Sequence, residues 1–192
     1  TPPPGPGLLG PEQFRRSSDG SILFEIGLDQ GNDPLCVGDE CQKPNQPAYT
    51  AAYMPRVKAI AKTEFAGTSP MDPMTQCKPL GVPRTGPANT LIIQTPQLVA
   101  LVHGDYTDRI IYMDGRPHPR EAYDLPTWMG HSVGHWEGDT LVVDTVGFNE
   151  GHWMSTLGAP RTNLHHLIER FTRINYNTLR YEATIDDPGA YT

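Results

Sequence analysis

The stretch HSVGHWEGDTLVVDTV, residues 131–146, constrains the fold more than any other part of this chain. Gly138 and Asp139 form a two-residue turn signal between two alternating runs, a pattern typical of a β-hairpin. Gly130 and Gly134 disfavour a helix here, because a glycine inside a helix costs about 1 kcal/mol relative to alanine. Counting outward from the turn predicts the register. The predicted pairs are Glu137 with Thr140, Trp136 with Leu141, His135 with Val142, Gly134 with Val143, Val133 with Asp144, Ser132 with Thr145 and His131 with Val146.

The two faces of this predicted hairpin differ in kind, since alternate residues of a strand point to opposite sides. One face is a packing surface made of Trp136, Leu141 and Val143. The other face carries four chemically active side chains between valines: His131, His135, Glu137 and Asp144. This mixture favours the lining of a ligand-holding barrel, which is apolar with a few convergent polar groups. In the alternative interpretation, the histidines cap a sheet edge and hydrogen-bond to backbone.

Short β-branched runs continue on both sides of the hairpin. They include TLIIQTPQLVALVHGD, RIIYMDGRPHP and the alternating residues 169–185. About seven strands with little room for crossover helices predict an all-β fold. We expect an antiparallel meander that closes into a small calycin-like or lipocalin-like barrel. The composition of residues 49–64 predicts one short leading helix, started or kinked by Pro55, so the barrel domain is expected to span residues 49–192.

Residues 1–48 are rich in Pro, Gly, Asn and Asp and are expected to form an irregular arm. Within the arm, Ser21–Leu28 is a predicted strand. Cys36 and Cys41 enclose a short loop and are expected to form a disulfide, which leaves Cys77 as an odd thiol or a small buried hydrophobe. The opening TPPPGPG, without an initiator Met, is typical of a linker that follows a removed leader. We therefore expect an exported protein, periplasmic or extracellular.

The net charge and the hydropathy of the chain restrict the kinds of partner that this protein is expected to bind. The formal net charge is −7 and the acidic residues are scattered, which argues against nucleic acid as a partner. No apolar run approaches the roughly 20 residues that a membrane span needs. The P-loop, HExxH and CxxC patterns do not occur in the sequence, which removes the enzyme classes that those motifs mark. The expected partner is a small-molecule ligand or substrate, with a homodimer left open.

The segment DRIIYMDGRPHPRE contains further candidate site residues, on a predicted strand and in the residues that follow it. Arg109 lies on the predicted strand, and Arg116 and His118 follow the turn at Asp114. Arg116 and His118 could close over an anionic ligand at the mouth of the barrel. In the other interpretation, Asp114 and Arg116 only hold a hairpin corner.

The segment NLHHLIERF fits both helical and strand spacing. We favour a strand that begins near Leu167, on which His166 and Arg170 share a face and Glu169 takes the other. On a helix, His166 and Glu169 would lie together and could bind a metal ion. The remaining histidines are expected at the surface: His103, His152 and His165.

Four segments together resemble a family of exported bacterial proteins known only as hypothetical proteins: DPMTQCKPLGVPR, RIIYMDGRPHP, GHSVGHWEGDTLVVDTVGF and TLRYEATIDDP. The resemblance covers roughly residues 49–192, and its WEGDTLVVDT core is specific. It implies no activity. The family's characteristic positions fall on Cys77, Arg84, Asp114, Arg116, His118, His131, His135, Trp136, Glu137, Asp139, Asp144, Glu169 and Arg170.

These residues predict an enzyme that performs acid–base chemistry, such as elimination, hydration or isomerisation, on a small organic or sugar-like substrate. A histidine would move the proton, Asp144 would set its tautomer, and Arg109 or Arg116 would stabilise developing negative charge. A metal-assisted version would use His131, His135 or His118 with a carboxylate to bind zinc, copper or iron. The alternatives are a lipocalin-like binding protein, or an interaction module presented by the arm.

Overall fold

The computed structural model describes residues 49–65, 72–86, 90–151, 153–155, 158–176 and 178–191. The predicted arm, with the Ser21–Leu28 strand and the Cys36 and Cys41 pair, lies outside these residues, and so does His152. Within the described part, the fold is mostly β. Seven strands form one mixed sheet that curls strongly into a half-barrel without closing, and two further strands form a small separate sheet.

The strands are short, as the frequent Pro and Gly residues favour. The helices are α1 (Met54–Phe65) and α2 (Glu121–Asp124), and a 3-10 turn covers Pro73–Gln76. The strands are β1 (Thr90–Gln94), β2 (Leu98–His103), β3 (Asp108–Tyr112), β4 (His131–Glu137), β5 (Thr140–Val146), β6 (Trp153–Ser155), β7 (Gly158–Pro160), β8 (His166–Asn175) and β9 (Thr178–Asp186). The large sheet has the order β1-β2-β3-β4-β5-β8-β9, and β6 pairs with β7.

Three parts of the predicted architecture are corrected. The meander is interrupted because β3 and β4 pair in parallel, with Ile111 opposite Ser132. A parallel pair needs a crossover connection, and residues 113–130, which include the unpredicted helix α2, supply it. The sheet also stays open, because β1 and β9 are its two edges in the described part of the chain.

The hairpin prediction is confirmed pair by pair, since β4 and β5 adopt all seven predicted partners. Gly138 supplies the positive φ of the turn, at +59°. The strand interpretation of NLHHLIERF is also confirmed: β8 begins at His166 and pairs antiparallel with β5, with Val142 opposite Arg170. Alternation and turn chemistry were therefore sufficient to predict this part of the sheet.

The main hydrophobic cluster lies on one side of the large sheet, which we call the inner face. Its buried cluster consists of Val99, Leu101, Ile111, Leu141, Val143 and Phe171. These residues come from strands as far apart in the sheet order as β2 and β8. In a flat sheet, four inter-strand spacings of about 4.8 Å each would separate these two strands. The strong curl of the sheet brings their side chains into one cluster. Gly134 belongs to this face, where an added Cβ would lie 2.8 Å from Ile111 Cγ2 and Met113 Sδ.

The opposite side, which we call the outer face, carries His131, His135, Glu137 and Asp144. The barrel lining predicted for these four residues is not found, because the sheet does not close and the main buried cluster, with Leu141 and Val143, is on the other side. Val142 and Val146, which lie between them on the outer face, are nevertheless buried. Trp136 lies on the inner face but is 47% exposed.

Candidate functional site

Four titratable side chains meet on the outer face, and we call them the histidine cluster: His118, His131, His166 and Asp144. His131 opens β4, and Asp144 lies on the neighbouring strand β5. On β8, His166 is two positions from Ile168, the pairing partner of Asp144, and therefore falls on the same face. His118 comes from the connection between β3 and α2, where Pro117 and Pro119 favour an extended path.

The cluster is joined by three short contacts. His118 Nδ1 lies 2.8 Å from His131 Nδ1. Asp144 Oδ1 lies 3.2 Å from His118 Nε2 and 2.8 Å from His166 Nε2. One carboxylate oxygen therefore serves two imidazoles, and a third imidazole is bonded to one of these two.

The contacts restrict the tautomers, because a neutral imidazole has one donor nitrogen and one acceptor nitrogen. If His118 donates from Nε2 to Asp144, its Nδ1 accepts the proton of His131 Nδ1. The lone pair of neutral His131 is then on Nε2. Asp144 thus sets the tautomer of His131 through His118, an arrangement suited to general-base chemistry.

The cluster is partly shielded from water. The His118 side chain is 14% exposed, whereas those of His166 and Asp144 are 38% and 39% exposed. Burial lowers the pKa of His131 below its ordinary value of 6.5, and the nearby His118 and Arg116 lower it further. The lowered pKa favours the neutral form of His131, which is the form that can accept a proton.

Arg116 lies at the rim of the cluster. The Tyr112 ring stacks on His131 with a centroid distance of 5.3 Å, and the Arg116 guanidinium carbon lies 4.0 Å from the Tyr112 ring centroid. Arg116 also pairs with Asp114, with Nη2 2.5 Å from Oδ2, and this contact lowers the pKa of Asp114 to about 2. Asp114 and Arg116 make the local contact that the hairpin-corner interpretation predicted, but no hairpin follows, because β3 and β4 pair in parallel.

Three other predicted site residues form a separate group on the outer face: His135, Glu137 and Arg170. His135 Nε2 lies 3.2 Å from Glu137 Oε1, and Arg170 Nη2 donates to Glu137 Oε2 at 2.7 Å. All three side chains are at least 40% exposed. Of the three predicted metal ligands, His118 and His131 contact each other, whereas His135 contacts Glu137 outside the histidine cluster. Within the described ranges, no three His, Cys, Asp or Glu side chains are arranged to hold one metal ion.

Arg109 and Glu169 are buried on the inner face. Arg109 pairs with Glu169, and each side chain is 2% exposed. Arg109 also donates to Ser132 Oγ at 3.0 Å and to Thr145 Oγ1 at 2.7 Å. Tyr181 donates to the other Glu169 oxygen at 2.7 Å. Arg109, one of the two arginines predicted to stabilise developing negative charge, therefore lies on the opposite side of the sheet from Asp144, and the backbone layer separates the two side chains.

Two histidines that were expected at the surface are buried instead. His103 contacts Thr90 Oγ1 through Nδ1 at 2.9 Å, and burial lowers its pKa. The His165 ring packs edge-on against Phe148, and neither of its nitrogens has a hydrogen-bond partner in the described part of the chain. Burial lowers the pKa of His165 to about 3, and Arg161 lowers it further. Local sequence carried no signal for this burial, since Phe148 is 17 residues away along the chain.

Two cavities open beside Trp136. The smaller, of about 150 Å³, lies on the inner face and is lined mainly by apolar residues: Ile92, Gln94, Val99, Leu101, Trp136, Asp139, Leu141, Phe171, Arg173 and Leu179. The larger, of about 510 Å³, is lined by Gln94, Thr95, Pro96, Met113 and Trp136. The alternation of the sequence predicted a packing role for Trp136 and carried no signal for its position at both cavities.

Comparison with known proteins yields no matching family model, curated protein or solved structure. The resemblance to exported bacterial proteins therefore stays a prediction. In the part of the chain that the structure describes, no helix has the length and apolar character needed to cross a membrane. The functional argument rests on the geometry of the cluster and of the cavities.

Proposed function

We propose that this protein is an exported acid–base enzyme and that the histidine cluster is its catalytic site. The reaction would be a proton transfer of the elimination, hydration or isomerisation type on a small organic or sugar-like substrate. One observation carries the proposal: Asp144 Oδ1 contacts two imidazoles, and a third imidazole, His131, is bonded to one of them. Carboxylate-oriented histidines with a lowered pKa are characteristic of general-base sites.

In this mechanism His131 removes a proton from the substrate with Nε2. His118 Nδ1 accepts a hydrogen bond from His131 Nδ1 and so fixes the tautomer of His131. When His131 becomes an imidazolium, His118 shares its positive charge and the Asp144 carboxylate compensates that charge. His131 then releases the proton to solvent, and His166, which is 38% exposed, takes a proton from solvent at Nδ1 and delivers it to the substrate while its Nε2–H still donates to Asp144. Arg116 lies close enough to lower the pKa of His131 and is the cation that would face developing negative charge.

The acid–base version is favoured over the metal-assisted one because both ring nitrogens of His118 are already engaged, one by His131 and one by Asp144. Binding of zinc, copper or iron by His118, His131 and Asp144 would require these contacts to break. Metal analysis of untagged protein decides between the versions. Stoichiometric metal that is lost in His131→Ala would favour the metal-assisted enzyme.

Solvent-hydrogen exchange tests the proposal without knowledge of the physiological substrate. A panel of small hydroxy acids, oxo acids and sugars is incubated with the protein in D₂O, and deuterium at acidic C–H positions is measured by NMR. We expect exchange with at least one compound, reduced about 10²- to 10⁴-fold in His131→Gln, as general-base catalysis predicts. His135→Gln, on the same face but outside the cluster, is the matched control. Equal exchange rates in the His131 and His135 variants would refute the assignment.

A lipocalin-like binding function is the second candidate, and the inner-face cavity of about 150 Å³ favours it. An apolar cavity of this size holds roughly one benzene-sized ring. Because Trp136 lines the cavity, we expect toluene to change its fluorescence and expect Val99→Phe, which fills the cavity, to abolish the change. An unchanged signal in the wild-type protein would argue against binding there.

A further inference from the structure

The two edges of the large sheet are chemically different. At one edge, β1 has the sequence TLIIQ without a charged residue. It pairs only with β2 in the described part of the chain. Leu91, Ile92 and Ile93 are 62%, 47% and 47% exposed, so both faces of this edge strand are apolar. An exposed apolar edge strand presents unpaired backbone groups to another strand.

The other edge, β9, is protected by charge. It carries Arg180 and Glu182, which form an ion pair with a nitrogen–oxygen distance of 3.2 Å, and it ends at Asp186. Charged side chains on an edge strand oppose the addition of a further strand. Within the described residues, the contrast identifies Leu91–Ile93 of β1 as the segment of sheet edge that is available for pairing.

We propose that β1 pairs antiparallel with β1 of a second copy of this chain, across a twofold axis at Ile92. In this register Ile92 faces its own copy, Leu91 faces Ile93 of the other protomer, and Thr90 faces Gln94. Every apolar side chain meets an apolar one, as antiparallel pairing with equivalent partners requires. The interface uses the same patch on both copies and therefore closes as a dimer.

The charge distribution favours a second copy as the occupant. The chain carries a net charge of −7, yet the pairing strand contributes none of it, so no like charges face each other directly across β1. Val102 on β2 and Ile110 on β3 are 41% and 37% exposed and extend the apolar surface on the outer side. Pairing of β1 with β9 would instead place TLIIQ against charged residues and would generate open-ended assemblies.

Light scattering coupled to size exclusion tests the dimer on the whole chain. We expect a concentration-dependent dimer whose dissociation constant rises at least tenfold in Leu91→Lys. Thr184→Lys, which adds the same charge to β9, is the matched control and should leave dimerisation unchanged. Melting curves of both variants establish that each remains folded. A monomer at about 100 µM, or a dimer that is equally weakened by both substitutions, would overturn the proposal.

Cross-linking tests the register independently of affinity. In a background with Cys36, Cys41 and Cys77 replaced by serine, Ile92→Cys should form an intermolecular disulfide, because the two Ile92 Cα atoms would lie within the usual range of about 4.4–6.8 Å. Val102→Cys, which is off the axis, should cross-link much less. Failure of the Ile92→Cys variant to cross-link would contradict the register. Protection of β1 amides in a monomer would show another segment on this edge and would overturn the proposal.

Discussion

Two polar clusters lie on opposite faces of the central strands, and their side chains differ in solvent exposure. On the inner face, the Arg109 and Glu169 side chains are each 2% exposed. Serine, threonine and tyrosine hydroxyls complete their hydrogen bonds. On the outer face, Asp144 is 39% exposed and contacts imidazoles that can change protonation. Burial and saturation make the inner cluster structural, whereas partial exposure leaves the outer cluster able to exchange protons.

The largest effect on stability is expected from the inner cluster. Arg109→Met should lower the free energy of unfolding by about 3–5 kcal/mol, because it leaves the Glu169 carboxylate buried without its cation. Denaturant unfolding measures the change. The double variant Arg109→Met with Glu169→Leu should recover part of the loss, since it removes the unpaired charge. A single variant as stable as wild type would mean that the two clusters are not energetically distinct.

The outer cluster should show the opposite pattern. Asp144→Asn should reduce solvent-hydrogen exchange by about 10² or more, because the amide no longer compensates charge on His118. Its unfolding free energy should change by less than about 1 kcal/mol, as is typical for a partly exposed ion pair. Chemical denaturation and the exchange assay are carried out on the same preparation. Loss of stability without loss of exchange would make the outer cluster structural too.

His165 is buried, and its ring nitrogens have no hydrogen-bond partner among the described residues. We therefore expect it to make the stability of the protein depend on pH. Its pKa is about 3 in the folded chain and about 6.5 when exposed, so the unfolded state takes up the proton first. Its contribution to stability is fully present above pH 6.5 and is lost as pH falls toward 3. Between pH 6.5 and pH 5 we expect a loss of about 2 kcal/mol. His165→Leu should flatten this dependence, and an unchanged slope would contradict the role of His165.

The smallest effect is expected at the rim of the outer cluster. Because Arg116 lowers the pKa of His131, Arg116→Gln should raise that pKa. Activity that requires neutral His131 is lost as pH falls through this pKa, so the acid limb of the pH–rate profile should move to higher pH. Arg120→Gln, an exposed arginine on the same connection, is the control. A shift of equal size in both variants would indicate a general charge effect.

The central hairpin and the strand nature of β8 could be predicted because both depend on local rules. Period-two alternation and the Gly138 and Asp139 turn determine which residues pair, and all seven predicted pairs of the hairpin occur. The approach of His118 to His131 could not be predicted in this way. It depends on the path of the connection after β3, which the parallel pairing of β3 and β4 redirects.

The sequence by itself determined which side chains share a face, since alternation along a strand is a property of the backbone. It therefore grouped His131 with Asp144 and separated His166 from Glu169. Only the tertiary structure decided which face is buried, because the curl of the sheet brings together strands that are distant in sequence. That curl turned the Leu141 and Val143 side inward, so that Arg109 and Glu169 became an internal ion pair and the histidines were left where water can reach them.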